Sequence, residues 1–428
     1  MWDQLPELIL TQIFGHLDRA DRANVGEVCQ SWNRALSSPE LWRSVTILID
    51  RDLCGELPLA EELVIKYGQH MRNLELAFSR PYISPRQIRI RCNIQMWEGI
   101  VFLSIMHVKN VQLRQLTLTN WMFGDKWGNR GILLGYLTKF LRGQRSLEIL
   151  SLLNADLGMT DVLRLLRTVA KRSGEHLISL DLRGAFRGWQ APYENPRYLS
   201  LLGRFHALTL LRLDYSALSN HALNALAASK TLKNLYISIR DSESRQHMIA
   251  DATWRNLVLA CPNLRVSYTI VNISHYEDMY YLLLPSVPLA KFHMFSGHVW
   301  DQSRSRNFRN TIGLIITQYT NTLVEVMLQL RNNRESLDDL LVSMLIRCKC
   351  LKRLQYDGII RNFETLREIC QLQAERKTHF KTIHVKPRNI NIQNRAILNN
   401  INYQYDRKMH EQGVDFRVED PTSILFFY

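Results

Sequence analysis

Leu147-Glu148-Ile149-Leu150-Ser151-Leu152 is followed thirty residues later by Leu177-Ile178-Ser179-Leu180-Asp181-Leu182, and after thirty-one more by Leu208-Thr209-Leu210-Leu211-Arg212-Leu213. The shared phrase is apolar-x-x-apolar-x-apolar. Upstream it recurs as Leu113-Leu116-Leu118 and Met71-Leu74-Leu76. Downstream it recurs as Leu232-Leu235-Ile237, Leu289-Phe292-Met294, Leu323-Val326-Leu328, Leu351-Leu354-Tyr356 and Phe380-Ile383-Val385, with Leu264-Val266-Tyr268 in an altered register. Eleven copies at a mean interval of about 31 residues are the mark of a solenoid. Each strand-plus-helix unit leaves one side bare, and stacking the next unit covers it.

Helical stretches lie between the phrases, such as Val162, Leu165, Leu166 and Val169, or Ala222, Leu223 and Leu226 after the capping pair Ser219-Asn220. Strand phrase plus helix defines a leucine-rich repeat, so residues 46–387 are expected to form an α/β solenoid of about eleven units. The ninth position of the phrase, where asparagine is expected, holds Trp121, Ala155, Ala185, Ser216 and Arg240. The intervals run from 24 to 42 residues, which predicts insertions at 79–110, 119–131 and 297–310. Cys261 and Cys348 each stand three residues before the first apolar residue of a repeat, a placement that predicts packing at a helix end and not a metal site. Residues 388–428 break the rhythm. Ile397, Ile401, Tyr405 and Met409 share one helical face there, and the segment is expected to be a C-terminal helical cap and tail.

The chain has 428 residues with an apolar fraction of 46% and a charged fraction of 22%, values of an ordinary folded protein. No apolar run approaches the roughly 20 residues that span a bilayer. Met1-Trp2-Asp3-Gln4-Leu5-Pro6 lacks the basic and apolar regions of a secretion signal. Seven cysteines without C-x-x-C spacing predict reduced thiols, hence cytosol or nucleus. Net charge is +14. The first 44 residues carry Arg19, Arg22, Arg34 and Arg43 against Asp3, Glu7, Asp18, Asp21, Glu27 and Glu40, so an acidic head precedes a basic body. Such a body suits an acidic or phosphorylated partner or nucleic acid, and charge alone does not choose between them.

The head reads as three short helices. Leu5-Pro6-Glu7 opens one carrying Ile9, Leu10, Ile13, Phe14 and Leu17. A second follows Asp21 with Val25, Val28, Cys29 and Trp32 on one stripe, and Ser38-Pro39 opens a third with Leu41 and Trp42. A piece this small does not enclose its own core. By periodicity it is either a cap on the next domain or a partner-binding helix pair. The run LPELILTQIFGHL, then VCQSW, then SSPELWRSV resembles the F-box, with residues 1–45 as its span. The resemblance rests on Leu5, Pro6, Ile9, Leu10, Ile13, Phe14, Leu17, Val28, Cys29, Trp32, Leu41 and Trp42. It implies insertion of these residues, Cys29 aside, into a Skp-family adaptor and, through that adaptor, tethering to a cullin–RING ubiquitin ligase. Acid substitutions at Leu10 and Phe14 are then expected to end adaptor co-purification and spare the fold. Arg22 and Gly26 depart from the pattern, where leucine or another apolar residue is usual. The layout as a whole resembles the animal F-box-only proteins with cryptic leucine-rich repeats, numbers thirty-three and thirty-nine in vertebrate naming, through Asp21-Arg22 ahead of Val28-Cys29 and through Asn332-Asn333-x-Glu335-Ser336-Leu337-Asp338.

No chemistry-bearing motif stands out. There is no G-x-x-x-x-G-K-[ST] loop, no H-E-x-x-H, no G-x-S-x-G elbow and no C-x-x-C, so no catalytic residue, metal or cofactor is expected. What remains is binding. Residues alternating outward on the strand face are candidates for holding a substrate: Arg183, Arg212, Tyr236, Lys291, His293, Phe295, Arg353 and His384. The clusters Arg86/Arg89/Arg91 and Arg304/Arg306/Arg309 could grip an acidic or phosphorylated segment or stand as solvated loops. Trp121, Met122, Phe123 and Trp127 form either a contact patch or a fold-back over the solenoid edge. The expected function is substrate recognition in a Skp–cullin–F-box ligase that marks a target protein for proteasomal degradation. The chain itself is expected to be non-catalytic, cytoplasmic or nuclear, with no membrane partner. The alternative is a non-degradative scaffold or nucleic-acid-associated repeat protein with a vestigial F-box.

Overall fold

Strand phrases and helices alternate along the chain as the repeat pattern requires. The computed structural model describes residues 5–17, 19–49, 59–77, 85–121, 130–240, 247–272, 276–296, 307–388 and 390–419. They form two compact units, one of residues 1–192 with 196–208 and one of residues 193–195 with 209–428.

In the first unit the head consists of α1 (Glu7–Gly15), α2 (Arg19–Gly26), α3 (Gln30–Leu36) and a 3-10 turn, Pro39–Trp42. The second helix expected from sequence is split. Gly26 closes α2, and Cys29, extended at φ −162° and ψ 166°, precedes α3. Strands β1 (Ser44–Leu48), β2 (Asn73–Ala77), β3 (Gln115–Thr119), β4 (Ile149–Ser151) and β5 (Ser179–Asp181) then pair in parallel, each with the next in sequence. The second unit continues in the same manner with β6 (Leu210–Asp214), β7 (Asn234–Arg240), β8 (Arg265–Val271) and β9 (Leu289–Phe295). After them come β10 (Glu325–Gln329), β11 (Arg353–Gly358), β12 (Thr382–Pro387) and β13 (Asp415–Val418).

The eleven phrases read from sequence are β2 to β12. All of their apolar positions are at most 5% exposed, so one continuous face of each run of strands is core. Two strands lie outside those phrases. β1 uses Trp42-x-x-Val45-x-Ile47, in which the last aromatic of the head occupies the first position of a repeat. β13 stands where only a cap was expected: the helix Ile392–Glu411 buries Ile401, Tyr405 and Met409 and then delivers a further strand to β12. The apolar end Ser423–Tyr428 lies outside the described residues.

The missing ninth-position asparagine has a physical substitute, one residue earlier at positions 120, 154 and 184 and, in the repeat of altered register, at Asn272. Asn120, Asn154, Gly184 and Asn272 end their strands in the left-handed region, at φ 59°, 53°, 62° and 63°. Asparagine and glycine tolerate this conformation best. Asn120, Asn154 and Asn272 each donate their backbone N–H to a carbonyl of the following repeat: Leu153, Arg183 and Phe295. The turn is therefore made by backbone conformation, and Ala155 and Ala185 fill the core behind it. Trp121 is 1% exposed and its indole N–H donates to the Leu76 carbonyl at 2.9 Å, so it folds back onto the repeats; Met122, Phe123 and Trp127 lie outside the described residues. Of the expected insertions, 79–110 holds the helix Pro85–Val108, and the helices Arg130–Gly143 and Phe308–Gln318 begin inside the other two.

Candidate functional site: an exposed apolar stripe and a strand face of pinned cations

The apolar residues of the head divide into two sets. Leu10, Phe14, Leu41 and Trp42 are 1%, 2%, 5% and 8% exposed. Phe14 meets Trp32 edge to face at 5.4 Å, and Trp42 donates its indole N–H to the Leu36 carbonyl at 2.7 Å and stacks on Tyr67 at 4.6 Å. These four pack within the head, so in the free chain their side chains are enclosed and not part of its surface. Leu5, Leu17 and Trp32 are half-buried. Pro6, Ile9, Ile13 and Val28 are exposed, and so is Leu8, which the sequence pattern did not single out. Pro6, Ile9 and Ile13 lie at i, i+3 and i+7 on one side of α1. Burying each large side chain of such a stripe would contribute roughly 1.5–3 kcal/mol.

The two departures from the F-box pattern have structural causes. Arg22 aims its guanidinium at the C-terminal end of α1. Its Nε donates to the Phe14 carbonyl at 3.0 Å, one terminal nitrogen to the Leu41 carbonyl at 2.7 Å and the other to the Gly15 carbonyl at 3.2 Å. These are helix-end carbonyls that need partners, and the cation also complements the negative end of the helix dipole. At Gly26 a Cβ would sit 3.1 Å from Leu36 Cδ1, so glycine permits the close approach of α2 and α3. Replacing Arg22 by Ala is expected to lower stability by about 1–3 kcal/mol, a loss readable as a fall in melting temperature. An apolar Arg22→Leu variant should not recover it.

Seven of the eight candidate outward residues lie in the second unit, and Arg183 lies in the first. Arg212, Tyr236, Ser267, Lys291, Glu325 and Arg353 form one row of directly opposed residues across β6 to β11. At the usual strand spacing this row is about 24 Å long. His293 and His384 share the next row, with Met327 and Gln355 between them, and Phe295 stands in the third. Arg212 lies 5.0 Å over the ring of Tyr236. Glu325 is buried at the centre. It accepts from Lys291 Nζ at 2.7 Å and His293 Nε2 at 3.0 Å, with Arg353 at 3.8 Å. His384 pairs with Asp415 at 2.8 Å, and the buried Asp357 holds Arg388 by two contacts. Arg183 belongs to the first unit, where it pairs with the buried Asp181 at 2.6 Å. Arg309 is paired with Asp339, and Arg304 and Arg306 lie outside the described residues. Arg86, Arg89 and Arg91 fall in the helix Pro85–Val108 and not in a loop; their side chains are likewise outside the described set.

The hydrogen bond from His293, with help from Lys291, pulls the Glu325 carboxyl from 4.5 down to about 2 against the opposing effect of burial. A depressed acid contributes stability above its unfolded value and loses it as pH falls through the folded one. The Glu325 contribution should therefore hold above about pH 5 and fade between 4.5 and 2. Subtracting the acid-unfolding profile of Glu325→Gln from that of the wild type would show the difference closing in that window.

Cys261 and Cys348 are buried at helix ends, and burial pushes the Cys348 thiol up to about 11, far from a reactive thiolate. Among the described residues no group of three or more His, Cys, Asp or Glu is placed to hold a metal ion, and no described helix is long and apolar enough to cross a membrane.

Residues 2–48 match the family model described as F-box-like. The chain is 25% identical over 378 residues to F-box/LRR-repeat protein 8 of Bos taurus, covering 84% of this chain and 90% of that protein. It is 27% identical over 292 residues to F-box/LRR-repeat protein 8 of Homo sapiens, covering 67% and 72%. It is 28% identical over 76 residues to F-box/LRR-repeat protein 21 of Mus musculus, covering 17% and 18%. An F-box-like head on leucine-rich repeats is thus common to the sequence pattern, the coordinates and these relatives.

Proposed function

We propose that the chain is the substrate-recognition subunit of a Skp–cullin–F-box ubiquitin ligase. The observation that carries the proposal is the stripe of Pro6, Ile9 and Ile13, with Leu8 and Val28 also exposed, on a head whose own core is already filled by Leu10, Phe14, Leu41 and Trp42. F-box proteins as a class dock a Skp-family adaptor, and the F-box-like match covers this head. The head does not hang on a linker: β1 starts two residues after Trp42, and Trp42 itself stacks on Tyr67 of the helix Leu59–Tyr67. A target held by the repeats would be tethered to the adaptor, which raises its effective concentration at the ubiquitin-charged enzyme with no bond chemistry in this chain. The target is a protein marked for degradation, in cytosol or nucleus, and the outward strand face of the second unit is its seat. The closer likeness to F-box-only proteins thirty-three and thirty-nine rests on the Asp21-Arg22 and Asn332–Asp338 phrases alone. A scaffold with a vestigial F-box is less well supported, because the exposed stripe of α1 is intact.

Affinity purification followed by mass spectrometry tests this reading. The wild type should bring down a Skp-family adaptor, a cullin and a target, and the Ile9→Asp, Ile13→Asp double variant should keep only the target. Absence of the adaptor from the wild-type preparation would reject it.

A further inference from the structure

The acids and the cations of the second unit's outward face lie at different depths. Glu325 and Asp357 are buried, at 9% and 7% exposure, while the side chains of Lys291 and Arg353 are 34% and 51% exposed. Each acid thus works from below. Glu325 draws in Lys291, His293 and Arg353, Asp357 fixes Arg388, and Tyr236 lies beneath the guanidinium of Arg212. The cationic heads are held in place before any partner arrives, so less side-chain entropy remains to be lost on binding. Half-buried Phe295 and Met327 stand in the adjoining rows and offer apolar contact.

We infer that this face, taken as the substrate seat proposed above, binds an extended acidic peptide segment, its Asp or Glu carboxylates reaching the row Arg212–Lys291–Arg353 and an apolar side chain settling by Phe295 and Met327. A continuous phosphate chain fits less well. Glu325 interrupts the row between Lys291 and Arg353, and the half-exposed Asp415 stands farther along the same row, both of which repel a polymer with a charge at every step. Discrete carboxylates spaced along a peptide can meet the cations and skip the acids.

The test uses the full chain purified with its adaptor and a fluorescent peptide of alternating glutamate and serine around a central leucine. Binding is followed by anisotropy at low and at moderate salt. The expected result is salt-sensitive binding that weakens about tenfold, equivalent to about 1.4 kcal/mol, in the triple variant Arg212→Ala, Lys291→Ala, Arg353→Ala. That variant should keep the wild-type circular dichroism and melt somewhat lower, because the buried Glu325 loses Lys291 and Arg353 and keeps His293. Should it fail to fold, the surface pair Arg212→Glu, Arg353→Glu serves instead and should turn the preference toward the matching lysine peptide. Unchanged binding in the folded variants, or no binding of the glutamate peptide at low salt, overturns the inference. So does a single-stranded oligonucleotide that binds as tightly, or a phosphoserine peptide that binds more than tenfold tighter. Adaptor retention is scored on the same preparations. Its loss in the wild type would strike the ligase reading while leaving the peptide result readable, and peptide failure with the adaptor in place strikes the inference alone.

Discussion

The double variant Ile9→Asp, Ile13→Asp should lose adaptor co-purification entirely while keeping the circular dichroism and melting curve of the wild type. Both side chains are already in contact with water, at 40% and 38% exposure, so an acid at either position disturbs little in the free protein. In a complex the same two positions would forfeit roughly 1.5–3 kcal/mol of burial each and force two carboxylates out of water. Even the lower end of that range exceeds about 3 kcal/mol for the pair, a loss of more than a hundredfold in affinity. The pair Leu10→Asp, Phe14→Asp, which the sequence pattern alone would select, behaves differently. Both residues are at most 2% exposed, and acids there should unfold the head. Adaptor binding would again disappear, for a reason that says nothing about the interface. Retention of the adaptor by the Ile9/Ile13 variant would reject the docking surface outright.

Trp42→Ala should produce the largest loss of stability of any single substitution in the head. It removes a buried indole, its stack on Tyr67 and the hydrogen bond to the Leu36 carbonyl. Truncating a core tryptophan typically costs about 3–5 kcal/mol. At roughly 2–4 °C per kcal/mol for a body of this size, calorimetry should show a fall of about 10 °C in the transition that contains the head. Trp42→Phe separates the contributions. It can keep the ring contact but leaves the buried Leu36 carbonyl without a donor, an expected penalty of about 1–3 kcal/mol. A melting temperature within 2 °C of the wild type for Trp42→Ala would show that head and first repeat are not joined through this residue.

The repeats were legible because the phrase tolerates little variation: its last two apolar positions are buried in every repeat from β2 to β12. The phrase fails where another signal uses the same residues. Trp42 and Val45 read as part of the head, which hides β1, and β13 carries Phe416 and Val418 without the preceding apolar residue at the usual spacing. The stripe of Val25, Val28, Cys29 and Trp32 suggested one helix, yet Gly26 and the extended Cys29 interrupt it. Periodicity also does not distinguish Leu10 from Ile13. Both belong to one wide apolar stripe, and only the packing of α1 against α3 decides which is enclosed. The ion pairs were the least accessible feature. Glu325 meets Lys291 and Arg353 from 34 and 28 residues away in sequence, and strand register alone brings them together. Arg22 looked like a defect because helix patterns count side chains and leave out the carbonyls that need a donor.

Because β1 grows directly out of the head, position along the first five strands is also a distance from the docking stripe, graduated in steps of about 4.8 Å. Deleting or duplicating one whole repeat there would leave the surface chemistry of the others intact and slide the later strands of the first unit by a single graduation. These five strands then serve as a ruler whose zero is set at Trp42, and the distance from the docking stripe to any of them becomes a quantity that can be changed in whole numbers.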